Sequence, residues 1–261
     1  MKPVIVCIAK KEKLYIEEFI KYHLALGFHH IYLYDNEDTP TYETFLSEYA
    51  RFVSVHHIPG NNYHVGVQYI ALNHFADNIL MKTDITHVAH IDIDEFIVLK
   101  RHKNISEFIE EYITGDCEGI GMNWRFFGSS GRTEASFEPV TQRFTMCTRT
   151  GDKHIKTIFK KDNLIRFGCH NVCLSRGHIK SIDGTIIEGP FSSCIDVSVI
   201  QLNHYKCKTL PEFRDIRMRQ RADVPMHLAQ HEDVDAAFRY FDLNEVEDTH
   251  AQIFYKTHCL S

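Results

Sequence analysis

Val4-Ile5-Val6-Cys7-Ile8-Ala9 is followed by Tyr15-Ile16-Glu17-Glu18-Phe19-Ile20-Lys21-Tyr22-His23-Leu24-Ala25-Leu26-Gly27, and then by Ile31-Tyr32-Leu33-Tyr34. The first run is apolar throughout and stops at Lys10-Lys11-Glu12. Such a run, with no alternation, predicts a parallel strand buried on both faces. In the second run Ile16, Phe19, Ile20, His23 and Leu24 fall at helical spacing, and Gly27 is a natural C-terminal stop. The third run is a second strand ending at Asp35-Asn36. Strand, helix and strand within about 35 residues make a βαβ unit, whose crossover is right-handed.

The alternation continues. Residues 42–49 read as helix, 52–56 as a third strand and 65–80 as an amphipathic helix. His87-Val88-Ala89-His90-Ile91 reads as a fourth strand running straight into Asp92-Ile93-Asp94-Glu95-Phe96. Residues 97–99 continue it as a short strand. Ser106 is placed to cap a helix ending at Ile113, with Ile105 as its hydrophobic staple. Residues 119–127 form another strand, and Gly128-Ser129-Ser130-Gly131 a loop. Beyond residue 140 the pattern weakens to short strands and turns at 155–160, 164–167 and 197–202. Two helices, 210–222 and 234–243, close the chain. The layout predicts an α/β protein, one domain over residues 1–261, with no clear linker.

Composition bounds the function. The 261 residues carry 29 basic and 35 acidic side chains, a net charge of −6, which argues against general nucleic-acid binding. An anionic nucleotide remains compatible, because one bound cation reverses the sign of a pocket. Eight irregularly spaced cysteines in a chain this long suggest reduced thiols and a cytoplasmic location. Cys169-His170-Asn171-Val172-Cys173 has no second Cys/His pair at zinc-finger spacing. No run approaches the roughly 20 apolar residues of a membrane span, so no transmembrane segment is expected.

Asp92-Ile93-Asp94 is the feature that carries chemistry. Ligands of open α/β sheets bind beyond the carboxyl ends of the strands. If strand geometry persists, alternation turns both carboxylates to one side. There they suit Mn²⁺ or Mg²⁺, which take oxygen ligands and leave places for phosphate oxygens. A solvated turn with capping aspartates is the bland alternative. An EF-hand is disfavoured because loop position six is Ile97, and a phosphatase-type nucleophile because Phe96 follows.

An ordered set of motifs resembles the glycosyltransferase family 92 and family 2-like group. The set begins with Ala9-Lys10-Lys11-Glu12, Glu18 to His23, Gly27 and Tyr32 to Asn36. It continues with Ile91 to Phe96, Trp124 to Gly131, Lys156-Thr157-Ile158, Asn203-His204-Tyr205, Lys208-Thr209 and Glu212-Phe213. It covers roughly residues 4 to 222. Lys11 departs from it, since relatives usually carry Asn there.

The resemblance implies a GT-A fold: a Rossmann-like mixed sheet flanked by helices, an irregular β-containing second half and C-terminal helices. It also implies a nucleotide-sugar donor, a carbohydrate or glycoconjugate acceptor and a divalent metal. Residues 1–100 would then be the nucleotide-sugar half, 101–222 the acceptor side and 223–261 a helical tail. Ala9, Lys10 and Glu12 would edge the nucleotide site, with Asp35 and Asn36 near the base or ribose, or else forming a plain turn. Gln68 would face the donor crevice. His204 would complete a metal site with Asp92 and Asp94. Lys156 would pair with the diphosphate, or be a surface strand charge. His170 would touch donor or acceptor, or be structural. Trp124, with Phe126 and Phe127, would offer a sugar platform or simply pack. Inversion needs a carboxylate base, for which Glu134, Glu188 and Asp196 are the candidates. A sugar-nucleotide nucleotidyltransferase and a non-catalytic sugar-binding relative are the rival readings. The first should show a Gly-rich loop after the first strand, which Lys10-Lys11-Glu12-Lys13 lacks.

Overall fold

The computed structural model describes residues 1–60, 64–217, 222 and 233–260. In chain order the first elements are β1 (Pro3–Ala9), α1 (Ile16–Ala25), β2 (His30–Asp35), α2 (Tyr42–Phe45), β3 (Val53–His57), α3 (Val67–Asn78), β4 (His87–His90) and β5 (Glu95–Leu99). Next come α4 (Ile105–Tyr112), β6 (Cys117–Phe126), α5 (Val140–Arg143), β7 (Met146–Cys147), β8 (Ile155–Lys160), β9 (Leu164–Phe167), β10 (Val172–Leu174) and β11 (His178–Lys180). The described chain closes with β12 (Ile200–His204), α6 (Leu210–Arg217), α7 (Val234–Phe241), β13 (Val246–Glu247) and α8 (His250–His258).

The main sheet runs β3-β2-β1-β4-β8-β6-β12-β5, with β11 beside β6. Strands β3, β2, β1 and β4 are parallel, as the βαβ reading requires. Strand β8 is antiparallel to both β4 and β6, and β12 is parallel to β6 but antiparallel to β5. The result is a mixed sheet flanked by helices, the expected fold class. Alternation along β1 explains its unbroken apolarity. Ile5 and Cys7 join one core with Ile16, Phe19 and Ile20 of α1, while Val4 and Val6 join another with Ala71, Leu72 and Phe75 of α3. Each fully buried phenylalanine contributes about 1.5–3 kcal/mol.

Gly27 ends α1 with φ of 103°, a conformation only glycine adopts cheaply. Lys11 also has positive φ, 57°, a left-handed conformation that Asn tolerates better than Lys.

Several local expectations need correction. The cap of α4 is Asn104, whose Oδ1 accepts the Glu107 N–H at 3.0 Å; Ile105 is already the first helical residue, so Ser106 lies inside the helix. Strand β4 ends at His90, and a turn spans residues 91–94 rather than a continuing strand. It closes because the Glu95 N–H donates to the Asp92 carbonyl at 3.0 Å and the Asp92 N–H donates to Glu95 Oε2 at 2.8 Å. The strand expected at 197–202 begins later and carries His204 as its last residue. The tail is not purely helical: β13 pairs with β7, and α8, unseen in the sequence, packs Phe254 4.8 Å from Tyr22. The helix expected at 210–222 is described as far as Arg217, and residues 218–221 lie outside the described set.

Candidate active site

The parallel strands β2, β1 and β4 end side by side, at Asp35, Ala9 and His90. The turn after β4 projects Asp92 and Asp94 beyond that edge. Each has a different neighbour. Lys156 of β8 donates from Nζ to Asp92 Oδ2 at 2.9 Å and lies 3.9 Å from Glu95 Oε2. Gln68, in the first turn of α3, donates from Nε2 to Asp92 Oδ1 at 3.1 Å. On the other side His204 Nε2 lies 3.5 Å from Asp94 Oδ2. The strand pairing makes this contact: His204 of β12 stands opposite Glu95 of β5, and the Tyr205 N–H donates to the Asp94 carbonyl at 2.8 Å.

Burial sets the charges. Lys156 is 1% exposed, and burial alone would lower its pKa; the Asp92 and Glu95 carboxylates outweigh that and raise it, so the amine stays protonated. Burial, with Asp92 and Asp94 adding to it, pushes the Glu95 carboxyl well up against the opposing pull of Lys156. Burial lowers His204 despite Asp94, and lowers His170 to about 4. Both imidazoles are therefore neutral near pH 7.

Trp124 of β6 forms a wall beside this centre. Its ring centroid lies 4.4 Å from that of His204, 5.2 Å from His170 and 4.9 Å from His154, onto which it stacks. Its buried Nε1 has no hydrogen-bond partner among the described residues, and nor has Nδ1 of His204. Phe127 is core, whereas Phe126 stacks on His204 with centroids 5.4 Å apart. The 128–131 loop is tied to the tail, through the Ser129 N–H to Asp242 at 2.6 Å and the Ser130 N–H to Asn244 at 2.8 Å.

The structure thus gathers Asp92, Asp94, Gln68, Lys156, His204, Trp124 and His170. Lys156 is no surface charge. The other candidates have different settings. Asp35 spends its carboxylate on the N–H groups of Glu37, Thr41 and Tyr42, and Asn36 donates to the carbonyls of Ile58 and Gly60. The pair braces the rim at the end of β2. Ala9 accepts the Asn36 N–H, Lys10 pairs with Asp38 at 3.5 Å, and the Glu12 carbonyl receives the Tyr15 and Ile16 N–H groups at the start of α1. Glu134 and Glu188 are exposed, and Asp196 accepts the Ser198 N–H at 2.7 Å. Sequence reasoning assigned no role to Glu95, although it stood inside the quoted motif. It also passed over Asp152 and His154, whose only signal was an Asp-x-His spacing.

Asp94 and His204 bring a carboxylate oxygen and a neutral imidazole nitrogen together, a donor set that fits Mn²⁺ or Mg²⁺. Among the described residues no three or more His, Cys, Asp or Glu side chains form a ready-made cage. An ion held here would complete its shell with water and phosphate oxygens, as such ions do in nucleotide sites.

The acidic turn lies at the ends of the parallel strands of a mixed α/β sheet, beside an aromatic wall. Residues 2–253 match the model of Glycosyltransferase family 92, and the chain belongs to that family. No curated protein matches it. Among solved structures it is similar to S. aureus TarS 1-349, at 15% identity and TM-score 0.34, over 62% of this chain and 47% of that one. It is similar to S. aureus TarS, at 16% and 0.37, over 64% and 30%, and to HddC from Yersinia pseudotuberculosis, at 13% and 0.35, over 62% and 77%. The chain spans less than half of the two TarS chains. No described helix is long and apolar enough to cross a membrane.

Proposed function

We propose that this glycosyltransferase transfers a hexose from a UDP-sugar to a hydroxyl of a glycan or other acceptor, with metal assistance and inversion. The observation that carries this reading is the 3.5 Å pairing of Asp94 with His204 beyond the ends of the parallel strands of a mixed sheet, beside a buried lysine. Asp94 and His204, with Asp92 in the same turn, would hold Mn²⁺ or Mg²⁺. That ion would supply positive charge to the departing diphosphate.

The chain's own groups have distinct tasks. Lys156 adds a fixed, desolvated positive charge beside the acidic turn, where it favours an anionic leaving group without reorganising. Gln68 and Lys156 fix the orientation of Asp92. Trp124, buried against His204 and His154, holds both imidazole rings in place beside the acidic turn. Residues 1–100 would form the donor half, and the β6 and β12 side the acceptor half.

Calorimetry of UDP with and without Mn²⁺ tests the reading. Wild-type protein should bind UDP more tightly with Mn²⁺, and Asp94→Ala should lose that difference with its circular dichroism intact. Wild-type turnover of UDP-galactose or UDP-glucose in Asp94→Ala would sink it. UDP binding that ignores Mn²⁺ would favour a non-catalytic sugar-binding role.

A further inference from the structure

We propose that His154, oriented by Asp152, is the base that takes the proton from the acceptor hydroxyl. The proposal rests on the glycosyl-transfer reading above and names a residue for a step which that reading leaves unassigned.

The geometry is that of an imidazole–carboxylate dyad. His154 Nδ1 lies 2.6 Å from Asp152 Oδ1, and the same oxygen accepts the His154 backbone N–H at 2.9 Å. A carboxylate only accepts, so Nδ1 carries the ring proton and Nε2 is left with its lone pair. Both side chains are about one-third exposed, 33% and 34%, so they are open to an acceptor and to water. The ring's place matters as much. It stacks on Trp124 at 4.9 Å with planes 15° apart, and the same indole also meets His204, the partner of Asp94, at 4.4 Å. The two imidazoles therefore share one aromatic wall, the buried one facing the acidic turn and the open one facing outward. Two backbone bonds lock this arrangement: the Trp124 N–H donates to the His154 carbonyl at 3.0 Å, and the Asp152 N–H to the Trp124 carbonyl at 2.7 Å. Phe191 meets the His154 ring edge-on at 4.7 Å and is itself 45% exposed, an apolar flank suited to a sugar face.

The same local pattern occurs once more among the described residues. Asp248 Oδ1 accepts the His250 N–H at 3.1 Å and lies 2.8 Å from His250 Nδ1. Asp248, however, is bound by Arg125, whose side chain leaves β6 on the face opposite to Trp124. The spacing Asp-x-His alone makes a local turn. Its position against Trp124 is what gives one copy a chemical task.

In the step, the acceptor O–H proton passes to His154 Nε2. The oxygen forms a bond to the anomeric carbon, and the bond from that carbon to the diphosphate oxygen breaks, its electron pair leaving with the nucleoside diphosphate. Asp152 stabilises the resulting imidazolium, which returns its proton to solvent.

The test uses the whole chain with Mn²⁺, UDP-galactose and UDP-glucose as donors and water as acceptor, measuring UDP release. His154→Ala should lower kcat about 100-fold or more while UDP affinity stays within about twofold of wild type. His154→Gln, which keeps a side chain against Trp124 but has no basic nitrogen, should behave the same, and added imidazole should restore part of the His154→Ala rate. Asp152→Asn should lower kcat less, at unchanged donor KM, as befits a positioning residue. His250→Ala should match wild type. If His154→Gln turns over like wild type while Asp94→Ala is dead, the dyad is wrong and the glycosyl-transfer reading stands. Loss of UDP affinity in step with kcat would also overturn the dyad. If Asp94→Ala turns over like wild type, or wild type releases UDP from neither donor, the underlying reading fails and the dyad falls with it.

Discussion

The Nζ of Lys156 lies 2.9 Å from Oδ2 of Asp92, with the lysine 1% exposed and Glu95 beneath it fully buried. The ion pair joins β8 to the turn after β4, two segments 64 residues apart. It holds the acidic turn at the sheet edge. Removing the ammonium would leave the Asp92 carboxylate without its cationic partner and unlink β8 from the turn. Lys156→Met should therefore cost about 3 kcal/mol, the lower end for a broken buried pair because Asp92 is partly solvated. Urea unfolding measures it; a loss below about 1 kcal/mol would show that the pair does not brace the turn.

Asp94 and His204 should act as one unit. Asp94→Ala and His204→Ala should each weaken Mn²⁺-dependent UDP binding, and the double variant should be little worse than either. Residues that share a ligand give non-additive losses. Fully additive losses by calorimetry would mean that the two residues act independently.

His23 gives the fold a pH dependence. It is wholly buried in α1, its Nδ1 donates to the Phe19 carbonyl at 2.9 Å, and its Nε2 accepts the Ile97 N–H at 3.3 Å. Both ring nitrogens are used by the neutral form. Burial lowers its pKa to about 3, against the smaller upward pull of the Phe19 carbonyl. Below the unfolded value, near 6.5, the unfolded chain takes a proton that the folded one refuses. Stability should then fall as pH drops from about 6.5 towards 3, by up to about 1.4 kcal/mol per pH unit from this residue. The slope should flatten in His23→Gln relative to wild type across pH 6.5 to 4; an unchanged slope would assign the effect elsewhere.

Lys11 adopts φ of 57°, where its side chain is strained and Asn is better tolerated. Lys11→Asn should stabilise the protein by about 0.5–1 kcal/mol. The thermal midpoint reads this directly, and an unchanged or lower midpoint would show that the lysine side chain offsets the strain.

Gly119 sits inside β6, where an added Cβ would fall 2.7 Å from the Ile158 carbonyl oxygen and 2.7 Å from Phe159 Cβ. Backbone cannot yield as a flexible side chain does. Gly119→Ala should destabilise by about 1–3 kcal/mol in urea. A neutral result would mean that β6 and β8 can part without loss.

The first 36 residues were legible because both signals in them are local. An apolar run without alternation can only be buried on both faces, and helical spacing ending at Gly27 leaves one register. The Asp92-Ile93-Asp94 motif, Gln68, Lys156 and His204 were likewise readable as residue types in order. What sequence could not supply was their partnership. Alternation suggested equivalent carboxylates, yet the turn at 91–94 gives Asp92 to Lys156 and Gln68, and Asp94 to His204. That division is set by the antiparallel insertion of β8 beside β4 and of β12 beside β5, pairings between segments far apart in the chain. Asp152 and His154 stayed hidden for the same reason. Their spacing is local, but the stack on Trp124 follows from how β6 is packed against the segment leading into β8. Local periodicity fixes which face of an element is buried; only the long-range strand pairing decides which charged groups share the space at its end.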